Sequence, residues 1–504
     1  MINRREFLKT AVAAPVGANM IFPQRGADRP NLLFLWADQQ RPDTMRVYGN
    51  DKIHAPNFNR LTDQSLVFQN AYVSQPVCTP SRSTVMTGLW PHTTGCTTNN
   101  IALPEKIPCL PEILADSGYR TGYFGKWHLG DELFAQHGFE EWESIEDIYN
   151  EYFRAGKDRN RRSTYDRFLR EHGYKPDSPD GTFSRLFEAH MPIEHCKPKF
   201  LELKATDFLR RHRNEPFMLY LNFLEPHPPY YGPLNDEHRV ADIQLPPNYA
   251  TAVGEDEPLA YHLKRMRDSQ KRDEGMDLTT DAGWLRLIAN YWGNVTLIDR
   301  SIGAILDTLQ ELGLAENTIV VHTSDHGEML GSHRMVQKGV MYEQAVRVPW
   351  IMRVPRLGLR QRIVRGRFSQ IDLLPTLLDL LGKAMPGRFP GRSLMPVVER
   401  GNPPKEPVII EWNPDRPGAN EYRDAQHSAE EVRRAYSAHT RTAISVDGWK
   451  LCLSDADKNQ LFDLEQDPWE SKNLFYTGQH RERIRGLTQS IHSWQKQVND
   501  TVKI

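Results

Sequence analysis

The 504-residue chain contains no uninterrupted apolar run of about 18 residues, the length a helix needs to cross a bilayer, so no segment reads as a membrane anchor. Its five cysteines are few and scattered: Cys78, Cys96, Cys109, Cys196 and Cys452 form no CxxC pair and no zinc-ligand spacing. That pattern excludes a zinc-finger site and a dithiol redox motif. Disulfides among them are allowed in an oxidising compartment, but the spacing pairs none of them. A net charge of −2 with 25% charged residues leaves no excess of positive charge for a nucleic acid, and none is expected as a partner. No internal repeat and no low-complexity tract is found, which argues against a solenoid. What remains is the composition of a globular protein long enough for a large core and two structural units.

The first strong positive signal lies at the N-terminus. Asn3–Lys9 reads NRREFLK, close to the twin-arginine export pattern R-R-x-F-L-K, and a mildly apolar stretch follows from Thr10 to Phe22, broken by Pro15 and Gly17. Residues 1–28 are therefore expected to be a signal peptide handled by the twin-arginine translocase, and the protein to be bacterial and exported, periplasmic or secreted.

Beyond it, apolar runs at Asn31–Trp36, Tyr119–Phe124, Phe217–Leu224 and Thr318–His322 predict buried parallel strands. Helical spacing at Leu110–Ser117, Pro198–His212 and Leu285–Leu312 separates them, which gives an α/β sheet with helices on both faces. Polar residues cluster just after the strands: Asp38, Lys126 with His128, His227, and Asp325 with His326. Ligands of open α/β sheets bind beyond the carboxyl ends of the strands, so four segments deliver these groups to one rim. The stretches Glu140–Lys197 and Val240–Asp281 lack periodicity and read as rim insertions, either pocket walls or solvated loops. A Gly/Pro cluster from Gly391 to Pro404 marks a boundary. Past it, Pro407–Trp412, Thr442–Val446, Trp449–Leu453 and Gln460–Leu464 predict four short antiparallel strands, with Asp447-Gly448 as a hairpin turn and Arg481–Val498 as a closing helix. The expected division is 1–28, 29–395 and 396–504, the last an α+β appendage.

The most informative string is Cys78-Thr79-Pro80-Ser81-Arg82, followed by a Thr-Gly pair at Thr87-Gly88. Proline favours the first helical turn, which places Cys78 just before a helix N-terminus, where free N–H groups and the dipole favour an anion. A thiol there is either a low-pKa nucleophile or a buried structural cysteine. Asp38, Gln39, Asp325 and His326 offer two carboxylates, an amide carbonyl and an imidazole to a divalent cation; oxygen donors suit calcium, and His326 suits manganese, iron or zinc better. Arg82, Lys126 and Lys338 are candidate anion ligands, with snorkelling surface lysines as the plainer alternative. His128 and His227 are candidate general acids or merely backbone-satisfied histidines.

The segments NLLFLWADQQRPD, CTPSRSTVMTG, GYFGKWHLG, EPHPPY, SDHGEMLGSH, QKGVMYEQAVRVP, SQIDLLPTLLDLLG and QLFDLEQDPWE occur in an order and spacing that resemble the type I, formylglycine-dependent sulfatases of the alkaline phosphatase superfamily. The resemblance implies a large, mostly parallel sheet flanked by helices with a smaller C-terminal antiparallel-sheet subdomain. It also implies that Cys78 becomes Cα-formylglycine, made by a formylglycine-generating or anaerobic sulfatase-maturating enzyme, and that Arg82 orients it. Position by position, Asp38, Gln39, Cys78, Asp325 and His326 then bind one divalent metal, Ca2+ or alternatively Mn2+, while Lys126, His128, His227 and Lys338 bind sulfate and move protons. The implied reaction is hydrolysis of an organic sulfate ester, with a sulfated carbohydrate as partner: one hydroxyl of the aldehyde hydrate attacks sulfur, a histidine protonates the leaving alcohol, and the second hydroxyl expels sulfate. Gln39 departs from the second carboxylate found in many members; Gln occurs there in some, including relatives of phosphonate monoester hydrolases. A phosphonate or phosphate ester hydrolase, a non-catalytic glycan-binding relative and a thiol hydrolase are the alternatives. The segment Asn413–Arg441, with Arg416 and Arg423, is expected to reach the pocket from the second unit.

Overall fold

The computed structural model describes residues 29–251, 254–273, 276–384, 387, 389–414 and 422–504. Residues 1–28, with the expected signal peptide, lie outside the described residues, as does Arg416.

Strand β1 (Asn31–Asp38) is buried along its whole length. Side chains alternate across a strand, so Leu32, Phe34 and Trp36 enter one hydrophobic core while Leu33, Leu35 and Ala37 enter another on the opposite face. Two cores, one on each side, are the reason the sheet needs helices on both faces.

The main sheet adds β2 (Leu66–Tyr72), β3 (Arg120–Gly125), β4 (Glu141–Glu143), β5 (Phe217–Pro226), β6 (Thr318–Ser324), β7 (Arg347–Val348), β8 (Trp350–Arg353) and β9 (Arg362–Ser369). Their order is β9-β2-β8-β6-β1-β5-β3-β4, with β7 paired to β2. The run β6-β1-β5-β3-β4 is parallel throughout, whereas β8 is antiparallel to both its neighbours. Helix α1 (Cys78–Thr87) adds Val85 and Met86 to the first core; α2 (Lys197–Arg211) and α3 (Asp281–Glu311) cover the second.

Each expected strand of this sheet is present, with shifted ends. The first and fourth run two residues further than their apolar stretches, so Asp38 and Ser324 belong to the strands themselves. Leu110–Ser117 divides into a short α-helix and a 3-10 turn, because Leu114 leaves helical geometry between them. The insertion from Glu140 to Lys197 carries two helices, Thr164–Glu171 and Arg185–Ala189.

A second sheet, β10 (Val408–Trp412), β11 (Thr440–Ile444), β12 (Trp449–Ser454) and β13 (Gln460–Asp463), is antiparallel in chain order. Helix α4 (Arg481–Val498) packs Leu487, Ile491 and Trp494 on Ile409 and Leu451. Among the described residues no helix is long and apolar enough to cross a membrane, and the five cysteines are buried and unpaired.

Candidate active site

Strands β6, β1, β5 and β3 are parallel neighbours, so their carboxyl ends lie side by side, and the residues at and beyond those ends meet. Asp38 ends β1 and Gln39 turns the chain out of the sheet through a left-handed φ of 71°. Gly125 ends β3 at φ 112°, and a Cβ there would lie 1.8 Å from the carbonyl oxygen of Asn222 on β5. Only glycine allows that approach, and it brings Lys126 to Asp38. On β5 the chain leaves through Glu225-Pro226-His227, with a cis peptide before Pro226.

Cys78 is the first residue of α1, with Val77 as the cap, rather than the residue before the helix. The correction follows from Pro80, which occupies the third helical position, still in the turn where its missing N–H is harmless. Cys78 Sγ lies 3.2 Å from His326 Nε2 and 4.0 Å from Asp38 Oδ1. Asp38, Cys78, Asp325 and His326 each offer a donor atom within 4.8 Å of the others.

Each carboxylate has one oxygen tied down and one facing this centre. Asp38 Oδ2 accepts from Lys126 Nζ at 2.6 Å and from Arg82 Nη2 at 2.9 Å, while its Oδ1 faces His326 at 3.7 Å. Asp325 Oδ2 accepts from Arg82 Nε at 2.9 Å; its Oδ1 accepts the Gln39 backbone N–H and faces His326 at 3.6 Å. His326 Nδ1 is 3.0 Å from the Gly327 carbonyl, which only accepts, so the proton sits on Nδ1 and Nε2 presents its lone pair. This is the arrangement that orients metal ligands from behind.

Arg82 does not bond Cys78. Its guanidinium, wholly buried, is used up on Asp38, Asp325, the Lys126 carbonyl and Asn222 Oδ1, and rests 4.9 Å from the Trp36 ring. It holds the two carboxylates of the centre together, and Cys78 is positioned by the helix itself. Lys338 Nζ donates to Gln39 Oε1 at 2.5 Å. The other end of that amide donates to Glu328 and to Tyr230 Oη, and Glu328 also accepts from the Tyr230 hydroxyl at 2.6 Å. The Gln39 amide is thereby fixed at both ends, its oxygen turned to Lys338 and its nitrogen to Glu328 and Tyr230.

Burial would raise the Asp38 carboxyl, but Lys126, His227, Arg82 and His326 hold it well below the usual carboxylate range. Burial and Asp38 push the Cys78 thiol up; Lys338, Lys126 and His326 outweigh them and bring it down. His227 and His128 move well below the usual imidazole range, through burial first and then Lys338 for His227 and Lys126 for His128. Burial pushes His326 down, but Asp325 and Cys78 together outweigh it and move it up. His227 Nδ1 donates to the Pro228 carbonyl at 2.8 Å, which frees Nε2. His128 Nε2 lies 2.8 Å from Asn100 Oδ1, and its buried Nδ1 has no partner.

Three supporting residues escaped the sequence reading. Glu328 follows SDHG directly, and its proximity to His326 was the available signal. Glu132 takes the backbone N–H groups of Trp127 at 2.7 Å and His128 at 2.6 Å, fixing the Lys126–His128 turn. Tyr149, from the insertion, lies against His128 with ring centroids 4.4 Å apart, and Arg185 donates to its hydroxyl at 2.8 Å. One part of that insertion is therefore a wall of the site. Just past the end of β10, Asn413 donates to Gln75 Oε1 at 2.9 Å, three residues before Cys78.

Residues 30–383 match the family model described as Sulfatase, and residues 331–497 the one described as N-sulphoglucosamine sulphohydrolase, C-terminal. The chain is 26% identical to an ulvan-active sulfatase of Formosa agariphila, over 88% of this chain and 77% of that protein. It is 26% identical to an N-acetylglucosamine-6-O-sulfatase of Bacteroides thetaiotaomicron, over 94% of this chain and 87% of that protein. Among solved structures, a phosphonate monoester hydrolase from Silicibacter pomeroyi shares the fold with a TM-score of 0.77 at 23% identity, covering 94% of this chain and 96% of that one.

Proposed function

The chain belongs to the sulfatase family, and on that premise we propose that it desulfates a sulfated carbohydrate, with Cys78 converted to Cα-formylglycine as the nucleophile and one divalent cation beside it. It is a sulfatase, an enzyme that hydrolyses sulfate esters. The observation that carries the finer reading is the position of Cys78: first in its helix, 3.2 Å from His326 Nε2, and ringed by Asp38, Asp325, Lys126 and Lys338. Carbohydrate is favoured by the names of the two curated relatives, one active on ulvan and one on N-acetylglucosamine 6-O-sulfate.

The donor set accommodates a cation. Asp38 Oδ1, Asp325 Oδ1 and His326 Nε2 face one another beside Cys78, two oxygens and one nitrogen, and Gln39 Oε1, which accepts from Lys338, is the further oxygen this reading assigns to the ion. We take the ion to be Ca2+, with Mn2+ as the alternative that the imidazole favours. A bound cation supplies positive charge against the non-bridging sulfate oxygens and the attacking hydroxyl. Lys126 and Lys338 supply the rest of that positive charge. His227 presents Nε2 and His128 presents Nδ1; both are neutral without ligand, and an anionic ester placed against either favours its protonated form, the state that donates to a leaving alcohol. Arg82 keeps Asp38 and Asp325 from separating.

Conversion of Cys78 requires a formylglycine-generating or anaerobic sulfatase-maturating enzyme. Arg4-Arg5 in the export pattern favours the twin-arginine translocase and a periplasmic or secreted site of action.

The test is mass spectrometry of the Cys78 peptide from protein made together with a maturation enzyme, followed by assay of cation-loaded protein on sulfated monosaccharides and on phosphonate monoesters. Aldehyde at residue 78 with sulfate release from the sugars is the expected result. An intact thiol, or turnover of phosphonates with none of the sulfated sugars, overturns it.

A further inference from the structure

Before any conversion, the centre holds a different donor set from the one a calcium ion would meet. Cys78, His326, Asp38 and Asp325 contribute one sulfur, one nitrogen and two oxygens, all within 4.8 Å of one another. We propose that the chain carrying an unconverted Cys78 is a zinc-binding protein at this centre, and that the bound zinc shields the thiol.

The first support is ligand chemistry. Calcium takes six to eight oxygens and has no use for sulfur. Thiolate and imidazole select zinc, which closes its shell with four donors of these kinds. The second support is geometry. Zinc–sulfur bonds of about 2.3 Å and zinc–nitrogen or zinc–oxygen bonds of about 2.0 Å give a tetrahedron with edges of about 3.3–3.5 Å. Four of the donor separations here are 3.2 Å (Cys78–His326), 4.0 Å (Cys78–Asp38), 3.7 Å (His326–Asp38) and 3.6 Å (His326–Asp325). These four edges need shifts of about half an ångström, and the remaining two, both to Asp325 Oδ1, lie within 4.8 Å, so closing the shell asks for movement of about an ångström at Asp325, within the reach of its side-chain torsions.

The third support is the way the donors are held from behind. Lys126 and Arg82 occupy the outward oxygen of Asp38, Arg82 that of Asp325, and the Gly327 carbonyl the Nδ1 proton of His326. The lone pairs that remain point inward. Binding displaces one proton, from the Cys78 thiol to solvent, and forms a zinc–sulfur bond; no oxidant or reductant takes part. Conversion of the thiol to an aldehyde removes the sulfur and leaves a harder set of donors. The metal carried then reports the chemical state of residue 78. The zinc-binding half stands whatever Cys78 later becomes; only its bearing on maturation rests on the conversion proposed above.

The experiment uses full-length protein made without a maturation enzyme, stripped of metal and titrated with Co2+ as a spectroscopic stand-in for zinc. Expected are one cobalt per chain, thiolate-to-cobalt charge transfer and the intense visible bands of four-coordinate cobalt, displaced by stoichiometric Zn2+ and resisted against excess Ca2+. Cys78→Ser removes the charge-transfer band and weakens zinc by more than about tenfold, the scale on which even outer-shell partners act. Cys109→Ser keeps the band; Cys109 is the control because it lies near Glu112 and His137 in a second cluster of ligand-type groups. Cys78 is buried in the folded chain, so labelling is read at the urea midpoint, where the centre opens: there zinc slows iodoacetamide labelling of the Cys78 peptide in the unsubstituted chain, a readout that needs no variant to fold. Absence of thiolate charge transfer, its survival in Cys78→Ser, displacement by Ca2+ at equal concentration, or unchanged labelling of Cys78 each overturns the proposal.

Discussion

Arg82 Nη2 lies 2.9 Å from Asp38 Oδ2, and the Nε of the same guanidinium lies 2.9 Å from Asp325 Oδ2. One buried cation thus joins carboxylates from the ends of two neighbouring strands. Removing a single partner from a buried ionic set leaves the others uncompensated, at about 3–5 kcal/mol. We expect Arg82→Ala to lose unfolding free energy on that scale, read from its urea midpoint. Arg82→Lys retains the charge but not the fork that reaches both carboxylates, so more stability and little activity should return. A wild-type midpoint in Arg82→Ala contradicts this role.

Lys126 carries charge to the centre on a short tether: its Nζ is 2.6 Å from Asp38 and its backbone is fixed by the turn at Gly125. Replacing one charge-stabilising donor at a reacting oxyanion costs about 100- to 1000-fold in kcat. Lys126→Met is expected to fall in that range in steady-state assay on the best sulfated sugar. A rise in KM with kcat unchanged would show that the lysine binds substrate without favouring the transition state.

Glu328 sets the orientation of Gln39. Glu328→Gln places an amide against the Gln39 amide and against the Leu330 and Gln337 N–H groups, so one donor must face another. Losing a group that orients a metal ligand from behind weakens metal affinity by about 10- to 100-fold. Calorimetric titration of the stripped protein with Ca2+ or Mn2+ reads the loss, and saturating cation should restore activity. Equal affinity in the variant would free Gln39 from this control.

His322 gives a stability signal away from the chemistry. It is fully buried, bonds Gln40 Oε1 at 2.9 Å, and burial alone lowers its pKa from 6.5 to about 3. Between those values the unfolded chain takes up a proton that the folded one refuses, so stability rises with pH across the window and is lost as pH falls through it. At pH 5 the loss amounts to about 2 kcal/mol. In His322→Gln the drop in unfolding free energy from pH 7.5 to pH 5 should shrink by that amount in urea titrations; an unchanged drop rules the residue out.

The sequence announced the strands that carry the site because they are buried on both faces and read as continuous apolar runs. NLLFLW and TIVVH need no context, and the polar residues after them mark the rim. Strands β2, β4, β7, β8 and β9 were not anticipated. They sit toward the edge or run antiparallel, and their mixed residues take strand form from neighbours rather than from pattern. Of the site, the chemical types and their meeting were legible. The division of labour was not: that Arg82 spans two carboxylates instead of touching Cys78, or that Glu328 turns the Gln39 amide, depends on distances of a few ångströms between segments hundreds of residues apart. Tyr149 was hidden for the same reason, in an insertion without periodicity.

The burial of Cys78 also sets a clock. In the folded protein its side chain is 1% exposed, and His326, which closes over its sulfur, is 248 residues downstream. At about 5–20 residues per second, a ribosome needs roughly 12–50 s to make that stretch. For that interval the cysteine has emerged and its lid does not yet exist. Any enzyme that must grip the chain around Cys78 in an extended form has this period of synthesis, and afterwards faces a closed helix N-terminus. For a conversion of Cys78 such as the one proposed above, translation speed, rather than affinity for the finished fold, would then govern what fraction of molecules is modified.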